Sequence, residues 1–231
     1  MRRIVLDTET TGLDYRTGDR LVEIGCIEMH GRQRTGRTFH AWLNPGREVG
    51  AGAVAVHGLS TEFLADKPRF AAITDEFIGF VQGAELVIHN APFDTGFLNN
   101  ELALAGRPGL DELCPVVIDT LLMARNLRPG RKNNLDALCA EFGIDNSGRQ
   151  LHGALRDAEL LADVWLAMTR GQETLRLDGD FAPTEVRSGR PERMPLTVLR
   201  ATEAELLEHE TVLAEIDKER KGCCVWLAKI T

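Results

Sequence analysis

The stretch IVLDTETTG at residues 4–12 decides the fold. Three apolar residues lead directly into alternating acids and threonines, and a glycine ends the run, as is typical of a short buried strand followed by a turn. We expect Ile4 to Leu6 to form this strand, with Asp7 and Glu9 at its exit. Side chains two residues apart in extended backbone point to the same side, so both carboxylates can meet one ion.

The remainder of the first 170 residues predicts a mixed α/β domain. Val22, Ile24 and Cys26 alternate with other residue types, and residues 38–43 are also strand-like, which predicts an antiparallel meander with the first strand. Strands and helices then alternate, which favours a central mixed sheet flanked by helices. The predicted helices there are residues 70–81, 93–104, 121–126, 135–142 and 154–168, and the predicted strands are residues 86–88 and 116–118.

Composition excludes several classes of protein. The chain has 231 residues, of which 43% are hydrophobic and 27% charged, so collagen-like and wholly disordered chains are excluded. Its apolar stretches are far shorter than the roughly 20 residues that a membrane-spanning helix needs. An acid follows the first apolar run too early for a signal peptide. We therefore expect a cytoplasmic protein.

The cysteines predict neither disulfides nor a zinc site. Five are present, at Cys26, Cys114, Cys139, Cys223 and Cys224. The number is odd, no CxxC pair occurs, and no cysteine or histidine spacing matches a zinc site, so reduced thiols are expected.

The net charge of −8 argues against a broad basic surface that grips nucleic acid. It still permits an enzyme that meets phosphates through metal ions held by its own carboxylates. The charge is uneven, because residues 187–231 contain eight basic and eight acidic side chains and the whole excess lies before them. This asymmetry predicts two regions with different roles.

Three further polar residues stand where predicted elements begin: Asp94, His152 and Asp157. Taken alone, each of these motifs has an ordinary structural explanation. A D-x-E pair such as that at residues 7–9 is usually a surface turn, and Asp94 suits a helix N-terminus. His152 could be a loop histidine, and Asp157 could be a buried acid paired with Arg156. Four carboxylates and a histidine at one sheet edge would instead repel strongly unless divalent cations neutralised them. Hard ions such as Mg²⁺ prefer oxygen ligands of this kind.

Three sequence motifs resemble those of the DEDDh 3′–5′ exonucleases, which have a ribonuclease H-like fold. They are DTETTG at residues 7–12, HNAPFD at residues 89–94 and HGALRDA at residues 152–158. VHGL at residues 56–59, NLDALC at residues 134–139 and the tail segments ATEAE and KGCCVW at residues 201–205 and 221–226 are similar to the proofreading subunits of bacterial DNA polymerase III.

The resemblance implies the chemistry of the site. Two divalent cations, Mg²⁺ or Mn²⁺, would clamp the phosphate to be cleaved, with Asp7, Glu9, Asp157 and Asp94 as their ligands. His152 would act as the general base, for which an imidazole is suited near neutral pH. The residues implied to bind substrate are Asp7, Glu9, Thr8, Thr11, Gly12, His57 and Asp157. The alternative for His57 is a structural role in a turn.

One departure from the family pattern is visible. The related proofreading subunits place an acid that contacts the terminal sugar five residues before the His-Gly pair, and this chain has Gly52 there. The substitution puts the sugar contact in doubt but leaves the metal ligands in place.

The sequence predicts three regions: an exonuclease domain at residues 1–175, a linker at residues 176–200 and a polymerase-binding tail at residues 201–231. Glycines and prolines among charges mark the linker. Thr202 and Glu205 have the spacing of a capping box that starts a helix expected to run to about Lys221, with Gly222 ending it. QETLRL at residues 172–177 loosely resembles a sliding-clamp-binding peptide.

We therefore expect a proofreading 3′–5′ exonuclease that acts on single-stranded or frayed DNA 3′ ends, bound through its tail to the polymerase III catalytic (alpha) subunit. Two alternatives remain. A free-standing exonuclease acting on short RNA or DNA would share the site but would not need the tail. A non-catalytic adaptor between polymerase and clamp would not need the five site residues.

Overall fold

The computed structural model describes residues 1–147, 151–170 and 201–219. The chain divides into two units, Met1–Arg176 and Leu177–Thr231. Within the described ranges, no helix combines the length and the apolar character needed to cross a bilayer. The predicted linker, the clamp-like peptide at residues 172–177 and the cysteine- and tryptophan-containing end of the tail all lie outside the described residues.

A mixed sheet forms the centre of the first unit. Its strands are β1 Arg2–Thr10, β2 Leu21–His30, β3 Gln33–Trp42, β4 Glu85–Ile88 and β5 Val116–Asp119, in the order β3-β2-β1-β4-β5. β1 pairs antiparallel with β2, and β2 with β3, so the predicted meander is confirmed. β4 pairs parallel with β1, and β5 with β4. β1 is therefore the central strand.

Eight α-helices of the first unit flank this sheet within the described residues. They are α1 Ala51–His57, α2 Thr61–Leu64, α3 Phe70–Val81, α4 Ala91–Leu104, α5 Leu110–Leu113, α6 Thr120–Leu127, α7 Leu135–Phe142 and α8 Ala154–Met168. Helix-capping residues fix several of their starts: Asp119 accepts hydrogen bonds from the first turn of α6, and Asn134 accepts one from Ala137 in α7.

The two faces of β1 belong to different halves of the core. Ile4 and Leu6 pack in a cluster with residues of α3 and α4, whereas Val5 packs with residues of α7 and α8. Alternation along the strand therefore turns Thr8 towards the α4 side and Asp7 and Glu9 towards the α8 side.

Two sequence expectations need correction. β1 continues to Thr10, so Asp7 and Glu9 lie within the strand instead of beyond it, because both remain paired with β2. The short helices α1, α2 and α5 were not expected, because none is long enough to show a helical apolar period. The other expected helices and strands are present.

Close contact between β2 and the start of α8 depends on Gly25. A Cβ atom at this position would lie 2.2 Å from the carbonyl carbon of Ala154 and from the backbone nitrogen of Leu155. No side chain fits there, so glycine permits α8 to begin directly against the sheet. This contact places the first turn of α8 beside β1 and β2.

The second unit contains α9, Glu203–Glu219. The predicted capping box is confirmed: Glu205 N–H donates to Thr202 Oγ1 at 3.4 Å, and Thr202 N–H donates to Glu205 Oε2 at 2.7 Å. None of the described residues of α9 is buried, and Leu206, Leu207, Val212 and Ile216 are exposed. The predicted end of this helix at Gly222 lies outside the described residues.

Candidate active site

Asp94 and Thr8 join the second predicted motif to β1. Asp94 lies in the first turn of α4 and is 4% exposed. Thr8 Oγ1 donates a hydrogen bond to Asp94 Oδ1 at 2.7 Å, as expected from the side of β1 that Thr8 occupies. Burial raises the pKa of Asp94 from 3.8 to about 7, although the hydrogen bond from Thr8 acts in the opposite direction.

His152 and Asp157 meet the acids of β1 from the other side of the sheet. His152 Nδ1 lies 3.3 Å from Asp157 Oδ2, and Asp157 is buried in the first turn of α8. One ligand atom each from Glu9, His152 and Asp157 lie within 4.8 Å of one another. Arg156, the alternative partner of Asp157, instead pairs with Glu159 at 2.9 Å.

The structure brings all five predicted catalytic and metal-binding residues together. A cavity of about 250 Å³, here called the metal cavity, is lined by Asp7, Glu9, Asp94, His152 and Asp157. Thr8, His89, Asn90, Asn134 and Asp136 also line it. Asp136 was not predicted as a site residue, although it belongs to the NLDALC segment that carried part of the resemblance.

Glu23 supports this arrangement and was missed by the sequence analysis. It lies opposite Glu9 on β2 and is 4% exposed. Glu23 Oε2 accepts a hydrogen bond from Ala154 N–H at 3.1 Å, and its Oε1 lies 2.7 Å from His40 Nε2. A carboxylate at the first amide of α8 favours the helix N-terminus. Glu23 thus fixes α8, and with it Asp157, against β2.

A second cavity, here called the terminal cavity, adjoins the metal cavity through Thr8, Glu9 and Phe93. Its volume is about 530 Å³, and Thr11, Gly12, Gly52 and His57 are among its lining residues. A Cβ atom at Gly52 would meet no other atom within 4 Å, so the departure from the family pattern leaves open space here.

His57 lines the terminal cavity, but both of its ring nitrogens contact the backbone. Nδ1 accepts a hydrogen bond from Leu59 N–H at 3.0 Å, and Nε2 lies 3.2 Å from the carbonyl oxygen of Thr10. This pattern requires a neutral ring that donates from Nε2. Burial agrees, because it lowers the pKa of His57. A nucleotide contact by His57 would use the ring surface or displace the Thr10 bond.

The ligand atoms that line the metal cavity suit divalent cations. Its carboxylates offer oxygen ligands from both sides of β1, and hard divalent cations prefer such ligands. Asp7, Glu9, Asp94 and Asp157 are the residues placed to hold such ions, with His152 at the rim, where its side chain is 45% exposed.

Comparisons with known proteins define the class. The family model described as Exonuclease matches residues 4–165, which include every residue of the metal cavity. The structure of exonuclease X in complex with 5′-overhanging duplex DNA superposes with a TM-score of 0.56 at 25% identity, covering 72% of this chain and 90% of that chain. The protein is an exonuclease with the ribonuclease H-like fold expected from the sequence.

Relatives that align with nearly the whole chain identify the family within this class. DNA polymerase III subunit epsilon of Rickettsia felis is 47% identical over 225 residues, covering 94% of this chain and 98% of the relative. The same subunit of Escherichia coli K12 is 45% identical over 242 residues, with 98% of each chain covered. The chain belongs to the DNA polymerase III epsilon subunit family.

The raised pKa of Asp94 predicts how pH affects the metal-free protein. A carboxyl whose pKa is higher in the folded than in the unfolded state adds stability below about pH 4, and this contribution is lost as pH rises through about 7. In EDTA, the Asp94→Asn protein should therefore have a higher free energy of unfolding than the wild type. The gain should be larger at pH 8 than at pH 5. Urea unfolding at both values measures this.

The matched control is Asp111→Asn, which removes an exposed acid from the first turn of α5. The difference in free energy of unfolding between this variant and the wild type should change little with pH. If Asp94→Asn changed the free energy of unfolding equally at pH 5 and pH 8, the result would contradict the buried, proton-binding state of Asp94.

Proposed function

We propose that this chain removes mispaired 3′-terminal nucleotides from DNA as the proofreading subunit of a replicative polymerase, using two divalent cations, Mg²⁺ or Mn²⁺. The observation that carries the proposal is the convergence of the four predicted metal-binding carboxylates and His152 on one cavity. Bound cations would polarise the phosphate to be cleaved and stabilise the charge that develops on the leaving oxygen.

The chain's own residues have distinct roles in this proposal. Asp7, Glu9 and Asp157 hold the cations, and Asp94 completes the set from α4. His152 is the general base: with Nδ1 beside Asp157, the neutral ring that donates from Nδ1 keeps an acceptor lone pair on Nε2. That nitrogen takes the proton from the attacking water.

The terminal cavity is proposed to hold the 3′-terminal nucleotide. It adjoins the metal cavity, so a nucleotide seated there presents its phosphate to the carboxylates. Thr8, Thr11, Gly12 and the ring of His57 would contact it, together with Asp7, Glu9 and Asp157 at its phosphate. A cavity of about 530 Å³ has the size of a small-molecule site and favours a single unpaired nucleotide over a base pair. This supports action on single-stranded or frayed ends.

The partner is proposed to be the polymerase III catalytic (alpha) subunit, bound through residues 201–231. Support comes from the relatives, which are named as polymerase III subunits and align along nearly their whole length. The exposed apolar side chains of α9 are also suited to a partner surface. Such an assembly would be cytoplasmic. Contact with the sliding clamp through residues 172–177 belongs to the same proposal and rests on sequence alone.

Replacing His152 by Ala should lower the turnover rate on a single-stranded oligonucleotide by about 10²–10⁴-fold, because a positioned base contributes that much. Metal affinity should be retained, since the carboxylates remain. The acidic limb of the pH–rate profile should disappear as well. Steady-state rates between pH 5.5 and pH 9 measure this. His30→Ala, which changes an exposed histidine at the end of β2, serves as the control.

An unaltered pH–rate profile in the His152→Ala protein would remove His152 from the role of general base. If its metal affinity were lost as well, His152 would instead be a ligand of the cations.

Removal of residues 189–231 should leave exonuclease activity on free single strands within about twofold of wild type, because the metal and terminal cavities lie in the first unit. It should abolish co-purification with the catalytic subunit. Retained polymerase binding would contradict the proposed tail. Absence of polymerase binding by the full-length chain would support the free-standing alternative. A full-length chain that binds polymerase without hydrolysing DNA would support the adaptor.

A further inference from the structure

Thr11 and Gly12 form one wall of the terminal cavity, and Asp19 lies directly behind them. Asp19 follows the short 3₁₀ helix Tyr15–Thr17 and lies beyond the first sequence motif. Thr11 Oγ1 donates a hydrogen bond to Asp19 Oδ1 at 3.0 Å, and Thr11 is only 3% exposed. Asp19 Oδ2 accepts a second hydrogen bond, from Asp14 N–H at 3.2 Å. The carboxylate therefore joins the end of β1 to the loop that follows it.

Gly12 packs directly against this carboxylate. A Cβ atom at Gly12 would lie 2.3 Å from Asp19 Oδ2 and 2.6 Å from Asp19 Cγ. Only glycine allows the backbone to approach the carboxylate so closely. Asp19 therefore fills the space behind this part of the wall, and its removal would leave room into which the backbone of Gly12 could move.

The polar groups of Thr11 are all engaged within the protein. Its N–H donates to the carbonyl oxygen of Arg20 at 2.9 Å, and its carbonyl oxygen accepts a hydrogen bond from Gly50 N–H at 3.3 Å. Its Oγ1 accepts from Arg20 N–H at 3.0 Å while it donates to Asp19. Thr11 therefore contributes its position and its shape to the terminal cavity. Asp19 helps to fix that position because it accepts the hydroxyl proton.

Asp19 is also connected to α1, which lines the same cavity. Arg47 Nη1 forms an ion pair with Asp19 Oδ1 at 3.2 Å. Arg47 lies shortly before Gly50, which is the N-cap of α1 and a lining residue of the terminal cavity. The carboxylate thus contacts both the wall formed by Thr11 and Gly12 and the segment that leads into α1.

We propose that Asp19 is a positioning residue of the terminal cavity. Its carboxylate holds Thr11 and Gly12 in the arrangement that receives the 3′-terminal nucleotide. A wall that is already ordered before the nucleotide binds reduces the cost of ordering on binding, so Asp19 increases the affinity for the nucleotide. The inference rests on the proposed function and adds to it a residue that determines substrate affinity without belonging to the sequence motifs.

Loss of the carboxylate should weaken binding and leave the chemical step intact, because the acids of the metal cavity and His152 remain. Asp19→Ala should raise KM by about tenfold, as expected for loss of a hydrogen bond to a charged group. The rise should be equal for a twelve-residue oligothymidylate and for the p-nitrophenyl ester of thymidine 5′-monophosphate, since each places one thymidine in the terminal cavity. Both kcat and the affinity for Mn²⁺ should stay within about twofold of wild type, as for loss of uniform binding.

Direct binding and two further variants separate the carboxylate from the stability of its loop. Calorimetric titration with thymidine 5′-monophosphate in Mn²⁺ should show about tenfold weaker binding in Asp19→Ala. Asp19→Asn keeps an acceptor oxygen for Thr11 Oγ1, so its KM should stay within about threefold of wild type. The control is Asp14→Ala, which removes a surface ion pair with Arg16 from the same loop and should change neither KM nor nucleotide binding.

Different results separate the possible failures. Unchanged KM and nucleotide affinity in Asp19→Ala would show that this carboxylate does not position the wall. Equal losses in Asp14→Ala would show that the stability of the loop sets the affinity, and a joint loss of kcat and Mn²⁺ affinity would show a general role in the fold. Each of these three results overturns the inference. A wild-type protein that binds thymidine 5′-monophosphate in an Asp19-dependent way but hydrolyses neither substrate would refute the proposed function alone.

Discussion

Repulsion among carboxylates gathered around β1 is the constraint on which the rest of the structure depends. Asp7 and Glu9 lie on one face of this central strand and meet Asp157 from α8, while Asp94 from α4 is held on the other face by Thr8. Burial raises the pKa of Asp94 to about 7, so a negative charge on this buried side chain is costly. Divalent cations remove this penalty, so affinity for metal and catalytic geometry have the same origin.

The surrounding fold holds the acids in place against that repulsion. Gly25 lets the start of α8 approach the sheet, and Glu23 binds its first amide while contacting His40. These contacts lie outside the metal cavity, so they can position Asp157 without competing for the cations. The same frame places the terminal cavity beside the metal cavity, since both are lined by Thr8, Glu9 and Phe93.

Much of this arrangement was predictable from sequence, because the apolar spacing of α3, α7 and α8 is long and regular enough to set their bounds at 70–81, 135–142 and 154–168. The convergence of the five proposed catalytic and metal-binding residues on one cavity followed from the three sequence motifs. The contact of Glu23 with Ala154 was not predictable, since 131 residues separate the partners and no local pattern links them. The backbone hydrogen bonds of His57 likewise arise only from tertiary structure.

Calorimetric titration of the full chain with Mn²⁺, in the presence of thymidine 5′-monophosphate, measures whether these carboxylates hold metal ions. We expect two ions bound per chain in the wild type, and loss of at least one of them in Glu9→Gln, which keeps the size of the side chain but removes its charge. An exposed substitution such as Glu112→Gln in α5 should leave both ions bound. Equal stoichiometry and affinity in the wild type and Glu9→Gln, or no binding in either, would contradict the claim that these carboxylates form a metal site.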